Sequence, residues 1–176
     1  MRIERGPRKD DEKQMRRALA QAGRARARGE VPVGAVVVSG GRVLGRGYNR
    51  PVGRHDPTAH AEILAIRKAG RARGNYRLND CDLYVTLEPC AMCLGAAVQA
   101  RLKRVVFGAF DPKSGAVCSI MRFPLARMNH RPEIKGGLLA EECGRVLKEF
   151  FVGRRLKQGS SRAARRVRPG PTARGS

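Results

Sequence analysis

A three-layer α/β domain, with helices on both faces of one sheet, is the fold class this chain predicts. Three observations carry that expectation. A helix-periodic segment precedes two β-branched runs joined by turn residues. Short apolar strands then alternate with helical segments. And 176 residues with 41% hydrophobic content suffice for one domain with a sizeable core.

The elements follow in order. Asp10 or Asp11 caps a first helix running to about Arg28, with Met15, Ala18, Leu19 and Ala22 on one face. Residues 33–38 (Val-Gly-Ala-Val-Val-Val) read as a buried strand. Ser39-Gly40-Gly41 is turn chemistry, and 42–48 returns as the hairpin partner, with Val43, Leu44 and Tyr48 apolar. Residues 49–57 hold two prolines, a glycine, His55 and Asp56, and are expected to be a loop. Thr58 is the expected cap of a helix from Ala59 to about Ala72, whose Ile63, Leu64 and Ile66 face the core. Residues 83–86 form another strand. Pro89 sits in the first turn of a helix from Cys90 to about Arg101, where its missing N–H costs nothing. A strand at 105–107, an irregular stretch over 108–131 and a short strand at 133–135 follow. A last amphipathic helix runs from 138 to about 157, with Leu139, Cys143, Val146, Leu147, Phe150 and Phe151. No internal repeat is present. Residues 1–9 and the Arg-, Gly-, Ser- and Pro-rich stretch 159–176 are expected to be disordered, which leaves 10–158 as the domain.

The net charge is +22, and its placement matters more than its size. Residues 1–28 carry +6 and residues 154–176 carry +8, so the basic excess is concentrated at the ends. Basic ends point to a polyanionic partner such as nucleic acid. The first 30 residues contain no apolar stretch of the length a secretory signal needs, and their acids (Glu4, Asp10, Asp11, Glu12) argue against an organelle transit peptide. No run approaches the ~18 apolar residues of a membrane span. The five cysteines, Cys81, Cys90, Cys93, Cys118 and Cys143, are odd in number. These features point to a reducing cytoplasm, where paired cysteines bind metal or do chemistry more often than they form disulfides.

The informative motif is His60-Ala61-Glu62 with Pro89-Cys90-Ala91-Met92-Cys93 downstream. One imidazole and two thiols can hold zinc and leave a fourth coordination position open, the pattern of a catalytic rather than a structural zinc. Cys90 and Cys93 share a helix face, and a helix N-terminus favours thiolate over thiol. His60 and Glu62 would diverge in mid-helix, so both can face one ion only if it lies off a helix N-terminus. Two helix N-termini converging on one ion, at strand C-terminal ends, is the expected layout. Each half alone says little: His-x-Glu is common, and Cys-x-x-Cys can be a redox pair or half of a closed structural site whose fourth ligand is Cys81, Cys118, Cys143 or His55. A closed site leaves Glu62 and Pro89 unexplained, and the three other cysteines fit the core.

Zinc makes water nucleophilic at neutral pH by lowering its pKa toward ~7. Glu62, free of the metal, is then the candidate proton shuttle. Together these residues make the known H-x-E…P-C-x-x-C signature of zinc nucleobase deaminases.

Further segments extend the pattern: Glu30-Val31-Pro32-Val33-Gly34-Ala35-Val36, Gly47-Tyr48-Asn49-Arg50-Pro51, residues 53–62, residues 84–93, residues 104–109, Met128-Asn129-His130-Arg131 and Phe150-Phe151. Over residues 11–157 the chain resembles the bacterial tRNA-specific adenosine deaminase family, within the cytidine/deoxycytidylate deaminase-like superfamily. The resemblance implies a cytidine-deaminase-like fold with a central five-stranded mixed sheet, a homodimer, one zinc per subunit, and conversion of the wobble adenosine of an arginine tRNA, presented on the anticodon stem-loop, to inosine. It assigns His60, Cys90 and Cys93 as zinc ligands and Glu62 as proton shuttle. It places Asn49 against the flipped base, Val33 and Ala61 in the pocket wall, and Asp111 and Phe151 near flanking nucleotides. Read without the resemblance, Asn49 is equally a turn residue, Val33 a core residue and Phe151 a helix-face anchor. Phe110 departs from the family, which carries a polar or basic residue there; the tail past 158 lies outside the match. Two rival readings share the metal motif: a deaminase of free cytosine or guanine, or of their nucleosides, and a zinc-stabilised RNA-binding protein without turnover.

Overall fold

The computed structural model describes the backbone of residues 10–166 and side chains to residue 156. The expectations for residues 1–9 and 167–176 lie outside the described residues. The elements are α1 (Asp11–Arg26), β1 (Gly34–Ser39), β2 (Arg42–Tyr48), α2 (Pro51–Arg54), α3 (Ala61–Arg73), β3 (Asp82–Leu87), α4 (Ala91–Gln99), β4 (Arg104–Ala109), β5 (Glu133–Lys135) and α5 (Ala140–Arg166), with one 3₁₀ turn at Leu125–Arg127.

The strands form one open, mixed sheet in the order β2-β1-β3-β4-β5. β1 runs antiparallel to both β2 and β3. β3, β4 and β5 run parallel. The β1–β2 hairpin closes through Gly40 and Gly41, both at positive φ (+54° and +79°), as a two-residue turn matched to the strand twist allows.

Strand alternation splits the core into two layers. Ala35, Val37, Leu83, Val85, Val105 and Phe107 face Ala61, Ala65, Leu94 and Ala97 of α3 and α4. Val36, Val38, Tyr84 and Val106 face Met15 and Ala18 of α1 and Cys143 of α5. The expected three-layer α/β/α architecture is therefore present. The parallel strands β3 and β4 end at Leu87 and Ala109, and the loops after them form one rim of the molecule.

Several boundaries differ from the local reading. The stretch 49–57 contains α2, because Pro51 presets the first turn and the Glu30 carboxylate accepts from Val52 N (3.4 Å) and Gly53 N (2.7 Å). No short-range pattern reveals that partner. Thr58 caps nothing. Its N–H and hydroxyl donate to Asp56 Oδ1 at 2.8 and 2.7 Å in a tight turn, and α3 begins two residues later than expected, with His60 as N-cap. Pro89 stands outside α4, whose N-cap is Cys90. α5 continues to Arg166 where disorder was expected from residue 159. Adding residues to a formed helix is cheap, and Arg162, Ala163, Ala164, Arg165 and Arg166 are strong helix formers.

Asp11 is not a cap. It is 1% exposed and pairs with Arg104 (2.8 Å), which is itself 2% exposed and also reaches Asp82 (2.8 Å). Tyr84 Oη donates to Asp11 (2.8 Å) and Lys135 Nζ lies 3.5 Å from it. This charged cluster pins α1 to β3, β4 and β5 at the end of the sheet opposite the β3 and β4 C-termini.

Candidate metal centre and active site

His60 and Cys90 are the N-caps of α3 and α4, and Glu62 and Cys93 lie in the first turns that follow. Two helix N-termini thus converge at the C-terminal ends of the parallel strands, as the spacing predicts. His60 Nδ1 lies 3.8 Å from Cys90 Sγ and 3.6 Å from Cys93 Sγ. Tetrahedral ligands at about 2.0–2.3 Å from an ion place nitrogen and sulfur about 3.6 Å apart. Distances and donor types therefore fit zinc. All three ligand atoms lie within 4.8 Å of one another, and no other His, Cys, Asp or Glu among the described residues joins the group.

That excludes the four alternative fourth ligands. Cys81 and Cys143 are buried in the core, while Cys118 is exposed, contrary to the expectation that it packs inside. His55 ends α2 in the left-handed region. Glu62 is not a member of the group, and its carboxylate accepts from the Cys93 thiol at the group's edge.

The three donor groups are coupled to one another through hydrogen bonds. The Cys93 thiol donates to Cys90, which with the nearby His60 ring holds the Cys90 thiol down to about 4 despite burial. Hydrogen bonding to Cys90, then burial, pushes the Cys93 thiol far up. The bond with Cys90 raises His60, partly offset by burial. Burial raises Glu62, which is 4% exposed, while its own backbone amide and His60 pull it the other way.

A cavity of about 500 Å³ opens above this group. His60, Glu62 and Cys90 form its floor; Val33, Asn49, Asp111 and Phe151 line its walls with Phe110 and Lys113. Ala61 does not join them: it is fully buried and does not line the cavity. Its amide instead donates to Asn49 Oδ1 (2.9 Å). That side-chain oxygen fixes the first turn of α3, and Asn49 still faces the cavity. Phe151 packs edge-on against Phe150 and lies under the Lys113 ammonium at 5.8 Å.

One residue escaped notice. Glu88, 2% exposed, follows β3 immediately before Pro89 and lines the cavity. Its carboxylate accepts from the backbone N–H of Asp111 (3.1 Å), Val117 (3.0 Å), Cys118 (2.8 Å) and Ser119 (3.1 Å), and from the Ser119 hydroxyl. It clamps the loop that carries Asp111 and Lys113 over the cavity. A lone acid within the apolar run 83–92 was the available signal, since a buried charge needs several donors.

The chain matches the MafB19-like deaminase family over residues 9–155. It is 50% identical to the tRNA-specific adenosine deaminase of Haemophilus influenzae over 155 residues, which is 87% of this chain and 90% of that relative. A solved structure from work on A-to-I editing by tRNA:A34 deaminases at the wobble position of transfer RNA has a TM-score of 0.73. It is 48% identical and covers 77% of this chain and 99% of its own. Guanine deaminase from Bacillus subtilis has a TM-score of 0.54 at 44% identity, covering 56% of this chain and 64% of its own.

Proposed function

Because the chain belongs to the MafB19-like deaminases and to the tRNA-specific adenosine deaminases, we propose that it is a zinc-dependent enzyme converting adenosine to inosine at the wobble position of an arginine tRNA. One observation carries this reading. Three N/S donors with tetrahedral spacing have no fourth side chain among the described residues, and a buried carboxylate outside the ligand set stands beside them on a cavity floor.

His60, Cys90 and Cys93 would hold one zinc ion per subunit. When bound, zinc makes a water nucleophilic near neutral pH. Beside it the Glu62 carboxylate would carry one proton to N1 of the adenine ring and a second, taken from the new C6 hydroxyl, to the C6 amine, which leaves as ammonia. The C6–N bond breaks, a C6–O bond forms, and one water is consumed. Asn49, anchored through its Oδ1, directs its amide group to the base. Val33 walls the pocket, and Asp111 and Phe151 meet the flanking nucleotides. Ala61 acts through its backbone, holding α3 to Asn49. An anticodon loop suits such a site because its unstacked bases can be splayed out and pocketed.

Residues 10–158 carry this activity, in a homodimer in the cytoplasm. An apolar groove between α3 and α4, lined by Ile66, Ala96, Ala100 and the exposed Tyr76, supports self-association. No helix among the described residues is long and apolar enough to cross a membrane.

The test is inosine detection at the wobble position after incubation with an arginine tRNA, with and without a zinc chelator. The similarity to a guanine deaminase favours one second reading, a free-base deaminase. Guanine, cytosine and free adenosine assayed in parallel decide between the two.

A further inference from the structure

Three guanidinium groups surround the ring of Tyr48. The Cζ atoms of Arg28, Arg50 and Arg24 lie 5.3, 5.7 and 6.0 Å from its centroid. Arg24 and Arg28 are exposed, and Arg50 is half-buried. None of the three pairs with a carboxylate among the described residues. Arg24 reaches only the Gln21 amide oxygen and Arg28 only the Arg24 carbonyl, both at 3.4 Å. Glu30, the acid in this part of the chain, is 4% exposed and points at the α2 amides instead.

Three like charges gathered around one aromatic ring repel one another, and no carboxylate among the described residues pairs with them. The ring orders them through cation–π contact, so their forks are held ready for an anion. The arginines do not line the cavity themselves, but chain neighbours of two of them do. Asn49 and Pro51, which flank Arg50, line it, and so does Val31, three residues after Arg28. Guanidinium forks match phosphate oxygens bidentately.

We propose that Arg24, Arg28 and Arg50, arrayed on Tyr48, form a phosphate-binding patch that grips the RNA backbone on the α1/β2 side of the cavity. Such contacts fix the register of the substrate without reading its bases. The inference rests on the tRNA-deaminase reading and adds the surface that would hold the RNA next to the reactive nucleotide.

The test compares the full-length zinc-loaded protein with Arg24→Gln/Arg28→Gln/Arg50→Gln and with a charge-matched control, Lys13→Gln/Arg42→Gln/Lys103→Gln. The control residues lie at the opposite end of the sheet. The probe is an arginine-tRNA anticodon stem-loop. Binding is followed by fluorescence anisotropy across a salt series, and inosine formation by steady-state kinetics. The patch variant should raise KM at least tenfold with kcat within twofold. It should also reduce the slope of log Kd against log salt by about 2–3, near 0.7–0.9 per lost phosphate contact. Tyr48→Leu keeps every charge but loses the array, and should raise KM severalfold. A patch variant indistinguishable from the control overturns the proposal. A wild type that binds the stem-loop but yields no inosine overturns the deaminase reading, while the anisotropy comparison still judges the patch. A wild type that does not bind RNA overturns both.

Discussion

Gly47 lies directly against the first turn of α3, so closely that a Cβ on it would overlap the carbonyl oxygen of Ala61. Ala61 sits between His60 and Glu62, so this contact sets how near those side chains come to Cys90 and Cys93. Gly47→Ala presses backbone on backbone, where no side chain can rotate away. It should cost about 3 kcal/mol in urea unfolding, the upper range for overpacking. It should also lower kcat/KM by about tenfold or more, since displacement of catalytic groups by even 1 Å is severe. Unchanged stability and rate would show that α3 is not held by this contact.

Glu62→Ala should keep zinc and stem-loop binding yet lose inosine formation by about 10²–10⁴-fold, the span typical of a missing general acid–base. Zinc content, anisotropy and single-turnover rates measure the three quantities separately. Full activity in this variant would favour an RNA-binding protein in which the metal only stabilises structure.

Zinc removal should abolish activity, and readdition of one equivalent per subunit should restore it. Cys90→Ser should lower zinc content and activity together, because a hydroxyl is a poor replacement for a thiolate ligand. Elemental analysis that finds active, metal-free protein would end the zinc mechanism.

Glu88 predicts an acid-sensitive loop. Burial alone would raise its carboxyl, but the Ser119 hydroxyl and the N–H groups of Cys118, Asp111 and Ser119 outweigh burial and hold it below the ordinary 4.5. A group lowered in the folded state stabilises fully above its unfolded value, and that contribution disappears as pH falls toward the folded value. The amide shifts of Val117, Cys118 and Ser119 should therefore hold steady above about pH 4.5 and move below it. Glu88→Gln should remove that transition and raise KM through a loosened Asp111–Lys113 segment. Identical titrations in wild type and variant would refute the clamp.

Arg104→Leu should cost about 3–5 kcal/mol in chemical unfolding, because it removes the guanidinium that pairs with the buried Asp11 carboxylate. Zinc content of the folded fraction should not change, since the cluster lies at the opposite end of the sheet from the metal ligands. Loss of zinc at full stability would contradict that separation.

Much was legible in the chain because it is local. The apolar β-branched run at 33–38 and the alternation in 42–48 placed two strands. Gly40-Gly41 placed their turn. The incompatibility of His60 and Glu62 in mid-helix already required an ion off a helix N-terminus. The donor set His60, Cys90 and Cys93 followed from spacing and ligand chemistry. What escaped was long-range. Glu30 builds α2 from twenty-odd residues away, Asp11 finds Arg104 across the sheet, and Glu88 gathers amides from the loop 111–119. Residue type and spacing thus determined which atoms can bind a metal and move protons. Only the fold decided that these three donor atoms meet at one point with no further ligand among the described residues, that Ala61 turns inward while Asn49 faces the cavity, and that three arginines share one ring. Each of those outcomes depends on burial and on partners distant in sequence, which no local pattern encodes.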